Sequence, residues 1–193
     1  HAFENERVIV PIRVEEDPRV TGIHAGEAGH DPVGFLRVET VAGPAIAAFT
    51  SAQSLGAYDP NARPMALSFR RLALAALVES AGKVIVDPSS CDILIPRSAT
   101  SALAQGDHWL PAWKDQELRD LLFRQAQDEC SSIIDLSVEY AGMGVCRVSL
   151  VIDPQAVEEA DRAQLREKVL RTIDVLNSNK RLRAVADDIQ WVP

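Results

Sequence analysis

The sequence predicts an α+β fold, with a mixed sheet and packed helices in the N-terminal half and an antiparallel strand pair with helices in the C-terminal half. Three observations predict it. Residues 134–140 and 146–152 alternate apolar and polar side chains across Gly142-Met143-Gly144, the pattern of a strand pair with one wet and one buried face. Lys83-Val84-Ile85-Val86 is too short for a helix, rich in β-branched residues and followed by Asp87-Pro88-Ser89-Ser90, which marks a core strand ending in a turn. Between such segments, apolar residues recur at helical spacing, as in Phe69, Leu72, Ala73 and Ala76.

Taken in order, residues 8–12 form a short strand whose Pro11 places it at a sheet edge or strand end. Residues 15–32 are acidic, Gly-rich and without hydrophobic period, and read as a long loop. Residues 33–41 and 44–49 form a hairpin around Ala42-Gly43. Thr50, with Gln53 three residues on, has the spacing of a capping box and starts a short helix that Gly56 and Asp59-Pro60 stop. An extended piece at 64–67 precedes Ser68, the cap of a helix through Ala81 that buries Phe69, Leu72, Ala73, Ala76, Leu77 and Val78 and leaves Arg70 and Arg71 solvated. Gly82 ends that helix. After the core strand come a second strand at 92–95 and a helix from about 97 to 105, ended by Gly106. Residues 107–114, with Trp109, Pro111 and Trp113, read as a connector whose aromatics anchor the second half on the first. Asp115 precedes a helix with Leu118, Leu121, Leu122 and Ala126 on one face. Beyond the strand pair, Asp153-Pro154 starts a helical region to about Leu176, residues 177–179 break it, and a basic piece leads to a terminal strand at 189–192. The expected domains are therefore 1–106 and 115–193, joined by the connector 107–114.

Composition narrows the function classes. The 193 residues are 47% hydrophobic and 25% charged, as in ordinary globular proteins, and the formal net charge of −8 opposes nonspecific attraction to nucleic acid or anionic lipid. No apolar run approaches the roughly 20 residues that span a bilayer, and the first residues lack the form of a signal peptide. A cytoplasmic protein is expected, without nucleic-acid or membrane partners. Cys91, Cys130 and Cys146 are too scattered for a disulfide framework or a C-x-x-C site, and Cys146 falls on the apolar side of its strand as a small core residue.

Constellations that carry chemistry are sparse. His24, His30 and Asp31 surround a Gly-rich loop, but their spacing matches neither a helical pair nor a zinc finger, so they read as solvated. Glu15-Glu16-Asp17 is a run of loop acids, and His108 belongs to the connector. Ser89-Ser90-Cys91 follows a core strand, where α/β proteins often hold active residues, yet the simpler reading is a turn whose hydroxyls satisfy backbone amides. No Gly-x-Ser-x-Gly elbow, Walker loop or dinucleotide glycine triad is present. Lys180-Arg181-Leu182-Arg183 sits near a helix end, where positive charge complements the macrodipole better than it builds a phosphate site. No catalytic, cofactor-binding or metal-ligating residue is assigned.

The order of Ala48-Phe49-Thr50-Ser51, Tyr58-Asp59-Pro60, the long helix, Val84 to Pro88 and Leu103 to Gly106 resembles the N-terminal domain of the SseB family, the "enhanced serine sensitivity" group. The second half is similar to the C-terminal region of actinobacterial members. The acidic loop 15–32 stands outside that resemblance. The resemblance implies an α+β fold and a cytoplasmic protein linked to serine sensitivity, and it supplies no catalytic residues to carry over. A non-catalytic binding or regulatory module follows, acting on an unknown protein or small metabolite. An enzyme with a site assembled from scattered polar residues, near Ser89 to Cys91 and His108, is the alternative. A self-associating homo-oligomer is a further expectation.

Overall fold

The computed structural model describes residues 6–12, 34–159 and 162–193. The loop acids Glu15, Glu16 and Asp17 and the cluster of His24, His30 and Asp31 lie outside the described residues. The chain divides into two compact units, His1–Ile95 with Leu103–Gly106 and Pro96–Ala102 with Asp107–Pro193. Among the described residues the secondary structure is α+β, with seven α-helices and three sheets.

In the first unit, strands β2 (Arg37–Thr40), β3 (Gly43–Ala48), β5 (Val84–Val86) and β6 (Ile93–Ile95) form one sheet in the order β2-β3-β5-β6. β3 runs antiparallel to β2 and parallel to β5, and β5 runs antiparallel to β6. The parallel pair demands a crossover, supplied here by helix α1 (Ala52–Tyr58), strand β4 (Arg63–Ser68) and helix α2 (Phe69–Glu79). Ala45 to Phe49 and Val84 to Val86 are all buried, which is why both runs are continuously apolar rather than alternating.

Strand β1 (Arg7–Ile12) pairs antiparallel with β4 and places Pro11 opposite Pro64. Ile9 exchanges both main-chain hydrogen bonds with Phe49, at 2.8 and 2.7 Å. Residues of the same parity as Ile9, Pro11 included, therefore face away from the β1–β4 ladder, and the missing proline N–H breaks no rung.

Helix α2 buries Phe69, Leu72, Ala73 and Ala76 as the spacing predicts, but Val78 is 85% exposed. It lies at the margin of the apolar stripe, where a 3.6 period does not decide the side. Val78→Lys is expected to shift stability by no more than about 0.5 kcal/mol, checked by the urea midpoint. Arg70 is not merely solvated: its Nε donates to the Ala104 carbonyl at 3.0 Å, near the end of helix α3 (Arg97–Gln105). Gly82 has φ +83 and returns its N–H to the Ala76 carbonyl at 2.8 Å, closing α2 as expected of a C-terminal glycine.

In the second unit, strands β7 (Ile133–Tyr140), β8 (Val145–Ile152) and β9 (Asp188–Val192) form a sheet in that order, with β7 antiparallel and β9 parallel to β8. Helices α4 (Gln116–Glu129), α5 (Pro154–Glu159), α6 (Arg162–Asn177) and α7 (Lys180–Val185) complete it. Leu118, Leu122, Ala126, Leu136, Val148, Leu165 and Leu176 belong to one core cluster. The alternation read from sequence shifts at the start of β7, where an irregularity falls between Ile133 and Asp135. Ile133 is fully buried and Ile134 is half exposed, the reverse of strict alternation from Ile134. Arg119 secures this bulge, donating from Nε to the Leu136 carbonyl and from Nη2 to Asp135 Oδ1, both at 3.0 Å.

Asp115 caps α4, its Oδ1 accepting the Leu118 N–H at 3.0 Å. The same carboxylate receives Arg181 Nη2 at 2.9 and 2.8 Å, and Glu117 receives it at 3.3 Å. Hydrogen bonding to Asp115, with a smaller contribution from Glu117, holds the Arg181 guanidinium above its ordinary pKa. The basic segment 180–183 is thus structural, but its anchor is a carboxylate at another helix's N-terminus rather than a helix macrodipole. Trp113, inside a 3-10 turn (Ala112–Lys114), packs on Trp109 at 5.7 Å and on Tyr140 at 4.8 Å between ring centroids.

Cys146 is fully buried, and desolvation raises its thiol from an ordinary 9.0 to about 11. The buried thiol stays protonated while an unfolded one ionises, so its contribution to stability is complete below pH 9 and declines between pH 9 and 11. Cys130 is also buried, whereas Cys91 is exposed. Iodoacetamide at pH 8 is expected to label Cys91 in the native chain and all three thiols after denaturation, read by intact mass.

Candidate functional site

The candidate site lies at the carboxyl end of the parallel pair. Ala48 and Val86 are register partners, so Phe49-Thr50-Ser51 and Asp87-Pro88-Ser89-Ser90 leave the sheet side by side. The Asp87 N–H donates to the Ala48 carbonyl at 2.9 Å, extending the ladder beyond the last paired residues. Loops at the carboxyl ends of parallel strands are where α/β sheets commonly hold ligands.

Asp87 organises the junction. It is 7% exposed and turns the chain with φ +49, a left-handed conformation that Asp tolerates better than most residues. Its Oδ1 accepts the Thr50 N–H at 2.9 Å and its Oδ2 accepts the Thr50 hydroxyl at 2.7 Å. Its carbonyl accepts the N–H groups of Ser90, Cys91 and Asp92 at 3.1, 3.1 and 3.2 Å. Asp92 Oδ1 accepts the Ser89 N–H at 2.8 Å. The turn is therefore tied by Asp groups, not by the serine hydroxyls that the sequence suggested for the task.

With Thr50 drawn to Asp87, the helix cap moves one residue on. Ser51, not Thr50, is the N-cap of α1, its Oγ accepting the Ser54 N–H at 3.0 Å and lying 2.9 Å from Ser54 Oγ. Gly56 lies within α1, which ends at Tyr58 ahead of the Asp59 turn. Tyr58 sets its ring 5.4 Å from that of buried Phe49 and remains 36% exposed.

These segments enclose an open cleft of about 310 Å³ lined by Ser51, Gln53, Ser54, Ala57, Tyr58 and residues 87–90. That is at the lower end of the roughly 300–1,000 Å³ typical of small-molecule sites. Of the residues discussed from sequence, Ser89 and Ser90 line the cleft, Cys91 is exposed in the same loop, and His108 belongs to the other unit. The Ser51, Gln53, Ser54 and Tyr58 wall was missed as a site. Its signal was a strand running into Thr50-Ser51 and a second strand running into Asp87, which sequence alone cannot place side by side. Among the described residues, no group of three or more His, Cys, Asp or Glu is placed to hold a metal ion. None of their helices is long and apolar enough to cross a membrane. A second hollow of about 420 Å³ lies in the other unit, walled largely by aliphatic side chains including Ile152, Leu165 and Val169.

The family model for the SseB protein N-terminal domain matches residues 1–114, more than half of the chain. The chain belongs to the SseB family. The match spans both arms of the cleft, so the Asp87–Thr50 junction sits within the SseB domain itself. Comparison with curated proteins and with solved structures gives no significant match.

Proposed function

We propose that this SseB-family chain is a non-catalytic binding module of the cytoplasm, acting on serine sensitivity by binding a small metabolite in the cleft beside Asp87. The observation that carries this reading is the use of the Asp87 carboxylate. Both of its oxygens hold Thr50, so the carboxylate of the cleft serves the fold rather than facing a substrate as a general base. Ser51 is likewise engaged, as a helix cap. What the cleft offers a ligand is a set of hydroxyls, one amide and one aromatic ring, which suits recognition by hydrogen bonding.

A thermal-shift screen of the whole chain tests the reading, using serine, related amino acids, neutral polyols and nucleosides. A ligand at a hundred times its dissociation constant stabilises the folded form by about 2.7 kcal/mol. The expected result is a raised midpoint with a ligand recovered chemically unchanged after prolonged incubation. Conversion of the ligand to a product overturns the reading, as does a screen in which no compound raises the midpoint.

A further inference from the structure

We infer that the cleft selects an uncharged, polyhydroxylated small molecule of about monosaccharide size. This inference rests on the reading of the cleft as a binding site and adds the class of ligand. Three features argue for it.

The first is charge. The lining residues include no Lys, Arg or His, and they do include Asp87, whose carboxylate is held by Thr50 beside the cleft. A ligand carboxylate or phosphate meets an anion and no countercharge, in a recess where water screens less than in bulk. Ligands carrying negative charge are disfavoured, including amino acids, which enter as zwitterions.

The second is hydrogen-bonding type. Ser89, Ser90 and Tyr58 contribute hydroxyls and Gln53 a carboxamide, beside the Ser51 and Ser54 hydroxyls, which lie 2.9 Å from each other. Each such group both donates and accepts. A polyol presents the same dual character at every hydroxyl, so it matches this wall whichever way the wall's protons point. Gln53, Ser89 and Ser90 are exposed residues of this lining.

The third is an aromatic platform. The Tyr58 ring rests on Phe49, which is fully buried and hydrogen-bonded to β1 through its main chain. The ring is thus braced from behind while part of it stays exposed. A pyranose or cyclitol has an apolar C–H face and a hydroxylated rim, and it can lay the first on Tyr58 while the rim meets the serines and Gln53. The volume of about 310 Å³ holds one such ring.

The test is a titration of the 15N-labelled full chain with D-glucose, myo-inositol, D-glucuronate and L-serine, followed by amide chemical shifts. The expected result is a saturable shift at residues 51–58 and 87–90 with a neutral polyol, and binding at least about tenfold weaker with glucuronate. Tyr58→Ala is expected to weaken polyol binding about tenfold. Gln53→Ala, at an exposed helical position that leaves the fold intact, is expected to weaken it several-fold. Absence of a cleft response to either neutral polyol overturns the inference, as does equal binding of glucuronate. Loss of neither ring nor amide mattering to affinity overturns it too. L-serine shifting the cleft amides while the polyols do not overturns the ligand class and leaves the binding-module reading standing. A polyol that binds and is chemically converted does the opposite.

Discussion

Asp87→Ala is expected to destabilise the N-terminal unit by about 3–4 kcal/mol, from two hydrogen bonds to a charged acceptor and the strain of a non-glycine, non-Asx residue at positive φ. The carboxylate is almost fully buried and holds both the main chain and the hydroxyl of Thr50. Removing it leaves a donor N–H at the junction of β3 and α1 without its acceptor. Asp87→Asn keeps an acceptor for the N–H and the shape of the turn, so its expected loss is smaller, about 1–1.5 kcal/mol. Amide hydrogen exchange in β3 and β5 reads the local stability of this unit. Equal exchange rates in Asp87→Ala and the parent chain would show that the carboxylate does not hold the junction.

Asp115→Ala is expected to cost about 2–4 kcal/mol in the second unit, through loss of an N-cap and of the carboxylate that receives Arg181. Asp115 is 6% exposed, so water cannot replace the bonds it makes. Asp115→Asn preserves the capping acceptor and loses the charge, and it is expected to fall between the parent and Ala forms. Trp109, Trp113 and Trp191 are the three tryptophans of the chain and all belong to this unit, so tryptophan fluorescence reports its unfolding. A midpoint unchanged in Asp115→Ala, with unchanged slope against denaturant, would refute the role of the pair.

The elements were largely legible because their causes are local. Val84 to Val86 reads as a core strand from the short run Lys83 to Val86, Arg97 to Gln105 as a helix from its flanks, and the helix after Asp115 from its apolar spacing. What was not legible depends on partners distant in sequence. Thr50 and Ser51 are both competent caps, and the choice between them is made by Asp87, 37 residues away. Arg181 finds Asp115 across 66 residues, so the basic segment looked like a helix-end charge. Ile134 and Ile133 exchange roles because of a bulge, which leaves no mark in an alternating pattern. The Ser89-Ser90 turn follows a core strand, a position where sites occur, and it does line the cleft. Its opposite wall, Ser51 to Tyr58, comes into view only once β3 and β5 are known to run parallel.

The most direct measurement is a double-mutant cycle between Thr50→Val and Asp87→Ala, read by amide exchange in β3 and β5. If the cleft carboxylate is committed to the fold, the Thr50 hydroxyl and Asp87 act as one unit, and the coupling energy should be at least about 1 kcal/mol. Losses that add to within roughly 0.3–0.5 kcal/mol would contradict this and make Asp87 a candidate for direct work on a bound molecule.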